Sequence, residues 1–374
     1  MKYYENPYQK EYRAKVLKSD NETCMLDDTI LYEGGGGQPP DRGYAICNSE
    51  KVDIRHIGSL KHECKCDSEE LTIHLDWDFR YEMMKAHSAE HTFFRFLQNR
   101  GAELIKINLN RESSILFKGD ITLDDVITAE SKTIELIKSG REVQWFWIDE
   151  SEIKDYPELR IKKERIKSEK IRVVEIAGHD ISACKGIHVK NLSEIGDFAI
   201  TKFRDGKKKE VKFVVGDRAI EFHHLLSSEF RRSAWENEIE VQKYRKFVLN
   251  IINEVEVLNS AIKELSSKIP FEEMNCNKIK IFILDIPRGD KKIIRKRMME
   301  MVQNKNEVSL FIDSQFNEVS FAVSEDLMFM IPIVKDLIEQ LGGKGGGNRR
   351  FVSGYVPNTN EFRNLLISKI CKGI

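Results

Sequence analysis

The sequence predicts an α+β protein of several domains. Its parts are a small N-terminal β-barrel, an α/β domain built on a histidine-bearing helix, a long heptad helix and a C-terminal α/β domain. Three observations carry this. At 374 residues the chain is too long for one compact core. Residues 1–77 read as short strands broken by turn residues. From Val241 the apolar residues fall in alternating steps of three and four, and beyond them strand and helix patterns interleave. The implied boundaries are 1–77, 78–218, 219–269 and 270–374.

Hydrophobic content of 41% and charged content of 32% describe a soluble globular chain. No apolar run approaches the roughly 18 residues of a membrane span. The opening stretch MKYYENPYQKEYRAKV has no apolar signal core, so a cytoplasmic protein is expected. A formal net charge of −1 leaves polyanion binding to local patches. Seven cysteines in a long charged chain point to a reducing compartment rather than a disulfide framework.

In chain order, Tyr12–Lys18 and Thr23–Leu26 read as a hairpin. Thr29 precedes Gly34-Gly35-Gly36-Gly37-Gln38-Pro39-Pro40. Four glycines allow positive φ and close approach to a ligand, and the two prolines stiffen the chain at once, unlike a linker. Cys64 and Cys66 lack a matching second pair, so a surface hairpin is expected there rather than a metal site. Phe79–Arg100 reads as a helix capped by Asp78 and stopped by Gly101, with Phe93, Phe94, Phe96 and Leu97 facing the core. A second helix spans 121–140, and strands are expected at Val143–Ile148, Val173–Ile176 and Phe198–Phe203. Residues 160–172 hold seven basic side chains, either a solvated face or a phosphate-contacting patch.

The first helix places His87 and His91 one turn apart on one face. Cys184 and His188 repeat that spacing. Two such pairs, one carrying a thiolate, form a borderline-soft set that favours one zinc ion. Glu90 lies between the two histidines in sequence. It can serve as a general base, although an exposed helix glutamate is the expected state. His87-Ser88-Ala89-Glu90-His91 also matches the inverted zinc-protease pattern H-x-x-E-H. That pattern needs a downstream carboxylate ligand, whereas the downstream pair here is Cys/His. Glu90 and the metal pairs thus leave two enzyme readings and a non-enzymatic one, a binding module with a structural zinc.

Val241, Tyr244, Val248, Ile251, Val255, Leu258, Ile262, Leu265 and Ile269 make a heptad seam that ends at Pro270. It is covered either by its own chain or by a second subunit. The C-terminal unit is expected to place strands at Lys278–Leu284, Val308–Ile312 and Val319–Val323, and helices over 290–303 and Leu327–Leu341. Its run Gly342-Gly343-Lys344-Gly345-Gly346-Gly347-Asn348-Arg349-Arg350 is expected at a helix C-terminus. There Lys344, Arg349 and Arg350 can meet phosphates, and no P-loop pattern is present.

Three ordered motifs, LYEGGGGQPPDRG, HSAEH and CKGIHVKNLSEIG, resemble the free-standing alanyl-tRNA editing proteins, related to the editing half of alanyl-tRNA synthetase. LGGKGGGNRR resembles the DHHA-type domain of their long members. The resemblance implies a trans-editing hydrolase that removes serine or glycine from mischarged tRNA-Ala, with tRNA-Ala as partner. It implies zinc on His87, His91, Cys184 and His188, a loop of Gly35, Gly36, Gly37 and Gln38 over the site, a serine-sensing hydroxyl at Thr29 and an acidic residue at Asp180. The chain departs from the family's usual Cys-Gly-Gly-Thr-His at Lys185 and Ile187. A homodimer through the heptad helix and C-terminal domain is also expected.

Overall fold

The computed structural model describes residues 1–20, 22–161 and 170–373. They form two compact units, Met1–Ser233 and Ala234–Ile374. The first unit holds both the expected barrel and the histidine-bearing region.

The first unit opens with a short helix α1 (Lys2–Glu5) and seven strands: β1 (Glu11–Ser19), β2 (Thr23–Leu26), β3 (Gly43–Cys47), β4 (Glu50–Asp53), β5 (Arg55–Gly58), β6 (Lys61–Glu63) and β7 (Glu70–Leu75). They make one antiparallel, nearly closed sheet in the order β4-β3-β7-β1-β2-β6-β5. Alternation along β1 and β7 sends Ala14, Leu71 and Ile73 inward against Leu26, Leu31 and Ala45.

The cysteines depart from expectation. Cys64 and Cys66 are buried in this core rather than on a surface hairpin. Cys66 is disulfide-bonded to Cys47, with Cα atoms 5.9 Å apart, while Cys24 and Cys64 stay free. Residue spacing cannot announce such a pairing, because the sheet is what brings the end of β3 beside the chain that follows β6. A second disulfide joins Cys276 to Cys371.

Helix α2 (Trp77–Gln98) follows. Its cap is Asp76, whose Oδ1 accepts the Phe79 N–H, so Asp78 falls in the first turn instead of capping it. Its buried face carries Phe93, Phe94 and Leu97, with Phe96 half-buried. These pack with Phe117, Phe198 and Phe213 from a four-stranded sheet. That sheet comprises β8 (Glu103–Asn108), β9 (Ser113–Lys118), β13 (Phe198–Arg204) and β14 (Lys209–Val215), in the order β13-β14-β9-β8. Each buried phenylalanine stabilises by about 1.5–3 kcal/mol. Helix α3 (Leu123–Ser139) is framed by a Thr122/Asp125 capping box and by Gly140 at φ 63°. A three-stranded sheet of β10 (Val143–Asp149), β11 (Lys170–Ile176) and β12 (Asp180–Ala183) completes the unit. Helix α4 (Asp217–Glu236) leaves it.

The second unit, from Ala234, contains the long helix α5 (Tyr244–Lys268), which stops before Pro270. Six strands follow: β15 (Glu272–Cys276), β16 (Ile279–Asp285), β17 (Glu307–Asp313), β18 (Glu318–Val323), β19 (Lys344–Gly347) and β20 (Phe351–Tyr355). They form a sheet ordered β15-β16-β17-β18-β20-β19, in which only β16 and β17 run parallel. Helix α6 (Lys291–Met301) covers one face through Ile294 and Met298. Helices α7 (Met330–Gln340) and α8 (Thr359–Lys372) cover the other. The glycine-rich run begins, as expected, at the C-terminus of α7, where the Gly342 and Gly343 N–H groups return to Glu339 O and Ile338 O and Gly342 takes φ 74°. From Lys344 it continues as the edge strand β19, paired with β20. Arg350 turns back into the unit, donating to Val323 O at 3.0 Å and Val302 O at 2.8 Å, so of the three expected phosphate contacts only Lys344 and Arg349 stay exposed. No helix among the described residues is long and apolar enough to cross a membrane.

Candidate metal centre

Helix α2 brings His87 and His91 to one buried face, their ring centroids 5.2 Å apart. The loop after β12 delivers Cys184 and His188. One potential ligand atom from each of the four lies within 4.8 Å of every other. Cys184 Sγ stands 3.5 Å from His87 Nε2 and 3.4 Å from His188 Nε2. A tetrahedral zinc with nitrogen at about 2.0–2.1 Å and sulfur at about 2.3 Å separates its ligand atoms by roughly 3.3–3.6 Å. The residues therefore fit such an ion.

The outward nitrogens fit it too. His87 Nδ1–H donates to Gln38 Oε1 at 2.8 Å. His91 Nδ1–H donates to Asp180 Oδ2 at 3.1 Å. His188 Nδ1 lies 3.2 Å from Ser88 Oγ. Each bond at Nδ1 leaves Nε2 with its lone pair toward the common point, the tautomer a metal requires. Burial pushes the Cys184 thiol up, but His87 and His91 outweigh it, so the thiol sits well below its ordinary range. Asp180 behaves alike: burial raises its carboxyl, and hydrogen bonds from His91 and Arg160 bring it well below the usual carboxylate range.

Gln38 reaches the site because of the glycines before it. Gly35 and Gln38 exchange backbone hydrogen bonds of 2.9 and 3.0 Å around Gly36 and Gly37, whose φ values are 62° and 98°. That is a two-residue turn with positive φ at both central positions, which glycine adopts at least cost. A Cβ on Gly37 would also sit 2.7 Å from Ile107 O. Gln38 Oε1 then accepts the Ile187 N–H at 2.9 Å as well as His87, tying the turn to both halves of the cluster. Gly186 is confined similarly, since a Cβ there would collide with the His87 ring and stand 2.9 Å from Gln38 Oε1. Lys185 is not so confined, and Ile187 contributes through its backbone N–H and a buried side chain.

Glu90 is a correction. It is not an exposed helix glutamate but 1% exposed, with Oε2 3.9 Å from His91 Nε2 and Oε1 without a partner. Burial raises its carboxyl above the usual value. Thr29 joins a different group. Its hydroxyl donates to His62 Nε2 at 3.0 Å and accepts the Leu31 N–H at 3.1 Å. His62 Nδ1–H is given to Leu60 O, so Nε2 is the acceptor, and burial beside His56 pushes its pKa down to about 4. Thr29→Val should strand this buried nitrogen and lower stability by about 1–3 kcal/mol in urea unfolding. An unchanged midpoint would count against the bond.

Sequence reasoning missed Ser88, Arg160 and Arg172 as supporting residues. Arg160 donates to both Asp180 oxygens, at 2.6 and 2.5 Å, and Arg172 donates to Cys184 O at 2.9 Å and Gly186 O at 2.7 Å. Both belong to the basic run at 160–172, so its described ends turn into the site. Residues 162–169, between those ends, lie outside the described residues. The one available signal was Ser88 lying inside the histidine pair on the same helix. Asp180→Asn should weaken zinc binding by about 10- to 100-fold, measured by competition with a chelating dye. Unaltered affinity would remove Asp180 from this role.

A tRNA-synthetase module coincides with this region: the profile of the threonyl and alanyl tRNA synthetase second additional domain matches residues 171–214, which include Cys184 and His188. The chain is 28% identical to the alanyl-tRNA editing protein AlaX-L of Pyrococcus horikoshii, over 96% of this chain and 95% of that one. It is 23% identical to the alanine–tRNA ligase of Aeropyrum pernix and 26% to that of Sulfurisphaera tokodaii, spanning 43% and 44% of their lengths. Among solved structures, the C-Ala domain of the Aquifex aeolicus alanyl-tRNA synthetase matches 27% of this chain at a TM-score of 0.24 and 17% identity, too distant in shape to argue from. Residues 171–214 thus resemble a module of threonyl and alanyl tRNA synthetases. The likeness to the editing protein and to both ligases runs along nearly the whole chain, and it also takes in nearly the full length of the alanyl-tRNA editing protein but less than half of either ligase.

Proposed function

We propose that this chain is an aminoacyl-tRNA hydrolase that deacylates mischarged tRNA-Ala, cleaving the ester that joins serine, or glycine, to the 3′ end. The observation that carries the reading is the convergence of His87, His91, Cys184 and His188 on one point, with Gln38 bonded to both halves. An alanine pocket cannot strongly exclude glycine or serine, so a second hydrolytic site is needed. A zinc ion held by all four side chains would be closed, and by taking a fifth ligand or shedding one it would supply Lewis acidity beside the ester. The chain's own residues do the rest. Gln38 Nε2 is a buried donor without a partner and is available to the ester carbonyl. Asp180 and Ser88 hold imidazoles in place, acting through them rather than on substrate. Thr29 as the serine-sensing hydroxyl rests on the family resemblance, since its hydroxyl is buried and bonded to His62 and the Leu31 N–H. Purified protein incubated with Ser-tRNA-Ala, Gly-tRNA-Ala and Ala-tRNA-Ala tests the reading. Release of serine or glycine well ahead of alanine is expected, and no release of any would end it.

Lys344 and Arg349 of the second unit are proposed to contact tRNA phosphates, with affinity that falls as salt rises. The seam of α5 supports a homodimer. Ile251, Val255, Leu258 and Leu265 remain 43–57% exposed along it. A stripe of this kind marks an interface. The full chain should sediment as a dimer, and Val255→Glu with Leu258→Glu should make it a monomer. A wild-type monomer would refute this.

A further inference from the structure

Around the centre, Gln38 Nε2, Arg95 Nε and Arg172 Nε are donors without a hydrogen-bond partner among the described residues, and Glu90 Oε1 is the one such acceptor. An aminoacyl ester offers the converse pair, a carbonyl oxygen that accepts and an α-ammonium that donates. Glu90 lies on the same helix as His87 and His91, 1% exposed, with its second oxygen 3.9 Å from His91 Nε2. The other buried carboxylate of the site, Asp180, is already used. Its Oδ1 accepts Arg160 Nε–H at 2.6 Å, and its Oδ2 accepts His91 Nδ1–H at 3.1 Å and Arg160 Nη2–H at 2.5 Å. A buried carboxylate with an unused oxygen is unfavourable until a cationic donor arrives. The α-nitrogen stands only two bonds from the reacting carbonyl carbon, so a carboxylate flanking the cluster is within its reach.

We infer that Glu90 is the counter-charge for the α-ammonium group of the aminoacyl ester, so that the site selects a free amino group over an N-acylated one. The inference rests on the deacylation reading above and adds the feature of the substrate that is read. A general base at Glu90 would serve any ester, whereas a counter-charge serves only one that carries a charged amine.

The test uses the full chain and Glu90→Gln, which keeps the side chain's shape and removes its charge. Turnover is measured on Ser-tRNA-Ala and on N-acetyl-Ser-tRNA-Ala, with zinc content determined for both proteins. The variant should lose about 10- to 100-fold in kcat/KM on the free-amine ester and change less than about threefold on the acetylated one. Its zinc content should not change. Comparing each substrate between the two proteins removes the intrinsic reactivity difference of the esters. Calorimetry with a non-hydrolysable 3′-seryl amide of adenosine, against its N-acetyl form, reads the same contrast without turnover. Equal losses on both esters would overturn the assignment in favour of a base, and loss of zinc would overturn it in favour of a metal-holding role. A wild type that cleaves neither ester yet binds the free-amine amide in a Glu90-dependent way would reject the deacylase and keep the assignment.

Discussion

Replacing Cys184 with alanine should leave a chain with native circular dichroism that has lost both its zinc and its deacylation of Ser-tRNA-Ala. The fall in kcat/KM should exceed about a hundredfold, more than the 10- to 100-fold that loss of a supporting hydrogen bond brings. The reason is the ligand's charge as much as its position. Cys184 supplies the anionic donor of the set, held well below the ordinary thiol range by the histidines around it. Its carbonyl is fixed independently by Arg172, so the loop need not collapse when the sulfur is removed. Cys184→Ser separates geometry from softness, because an oxygen of similar reach is a poorer partner for zinc at this site. Metal analysis and single-turnover deacylation on the same preparations decide the matter. An alanine variant that retains stoichiometric zinc and wild-type turnover would show that the cluster is not a metal centre.

Arg80→Met should destabilise the first unit by about 3–5 kcal/mol. The guanidinium is fully buried and joins three segments of chain. It donates to Asp41 through Nε at 2.9 Å, to Pro7 O at 2.8 Å and to Ile30 O at 2.5 Å. Asp41 in turn accepts the Tyr32 N–H at 2.6 Å, just before the glycine turn. Methionine fills much the same volume but abandons a buried carboxylate and two carbonyls. The damage should therefore extend to the turn that delivers Gln38. Urea unfolding followed by tryptophan fluorescence checks this, because Trp77, Trp145, Trp147 and Trp235 include three in the first unit. A shift below about 1 kcal/mol would place the join of barrel and helix elsewhere.

The centre was legible in the sequence to the extent that its spacing obeys a local period. His87 and His91 are neighbours because a helix turns every 3.6 residues, which needs no tertiary knowledge. The cap moved from Asp78 to Asp76 because both are good caps and only packing chooses between them. Glu90 was misplaced for a related reason: the same helix turns most of its circumference inward around the histidines, so a charged side chain is buried with them. Nothing local marks Arg160 and Arg172 as inward-facing in a strongly basic run. Nor does composition reveal that Cys47 and Cys66 meet, since their approach belongs to the strand order of the barrel. In the second unit Gly342 ends a helix as its residue type suggests, whereas nothing local shows that Lys344–Gly347 form a strand, since glycine suits many backbones and pairing with β20 decides it.

The carbonyl oxygen of Gln38 bears on how the protein is made. It bonds to His87, 49 residues away, and to Ile187, 149 residues away. Contacts of such sequence separation form late, after the barrel and the helices have paid their local ordering entropy. During synthesis the barrel and α2 emerge well before Ile187 does, and domains fold as they emerge. Until then the His87/His91 face and the glycine turn have no third party to hold them together. The centre is accordingly a late product of folding, and a chain that stalls or is cut before residue 188 has His87 and His91 on one helix but lacks His188 and the strands β13 and β14 that cover that helix, so it has no site.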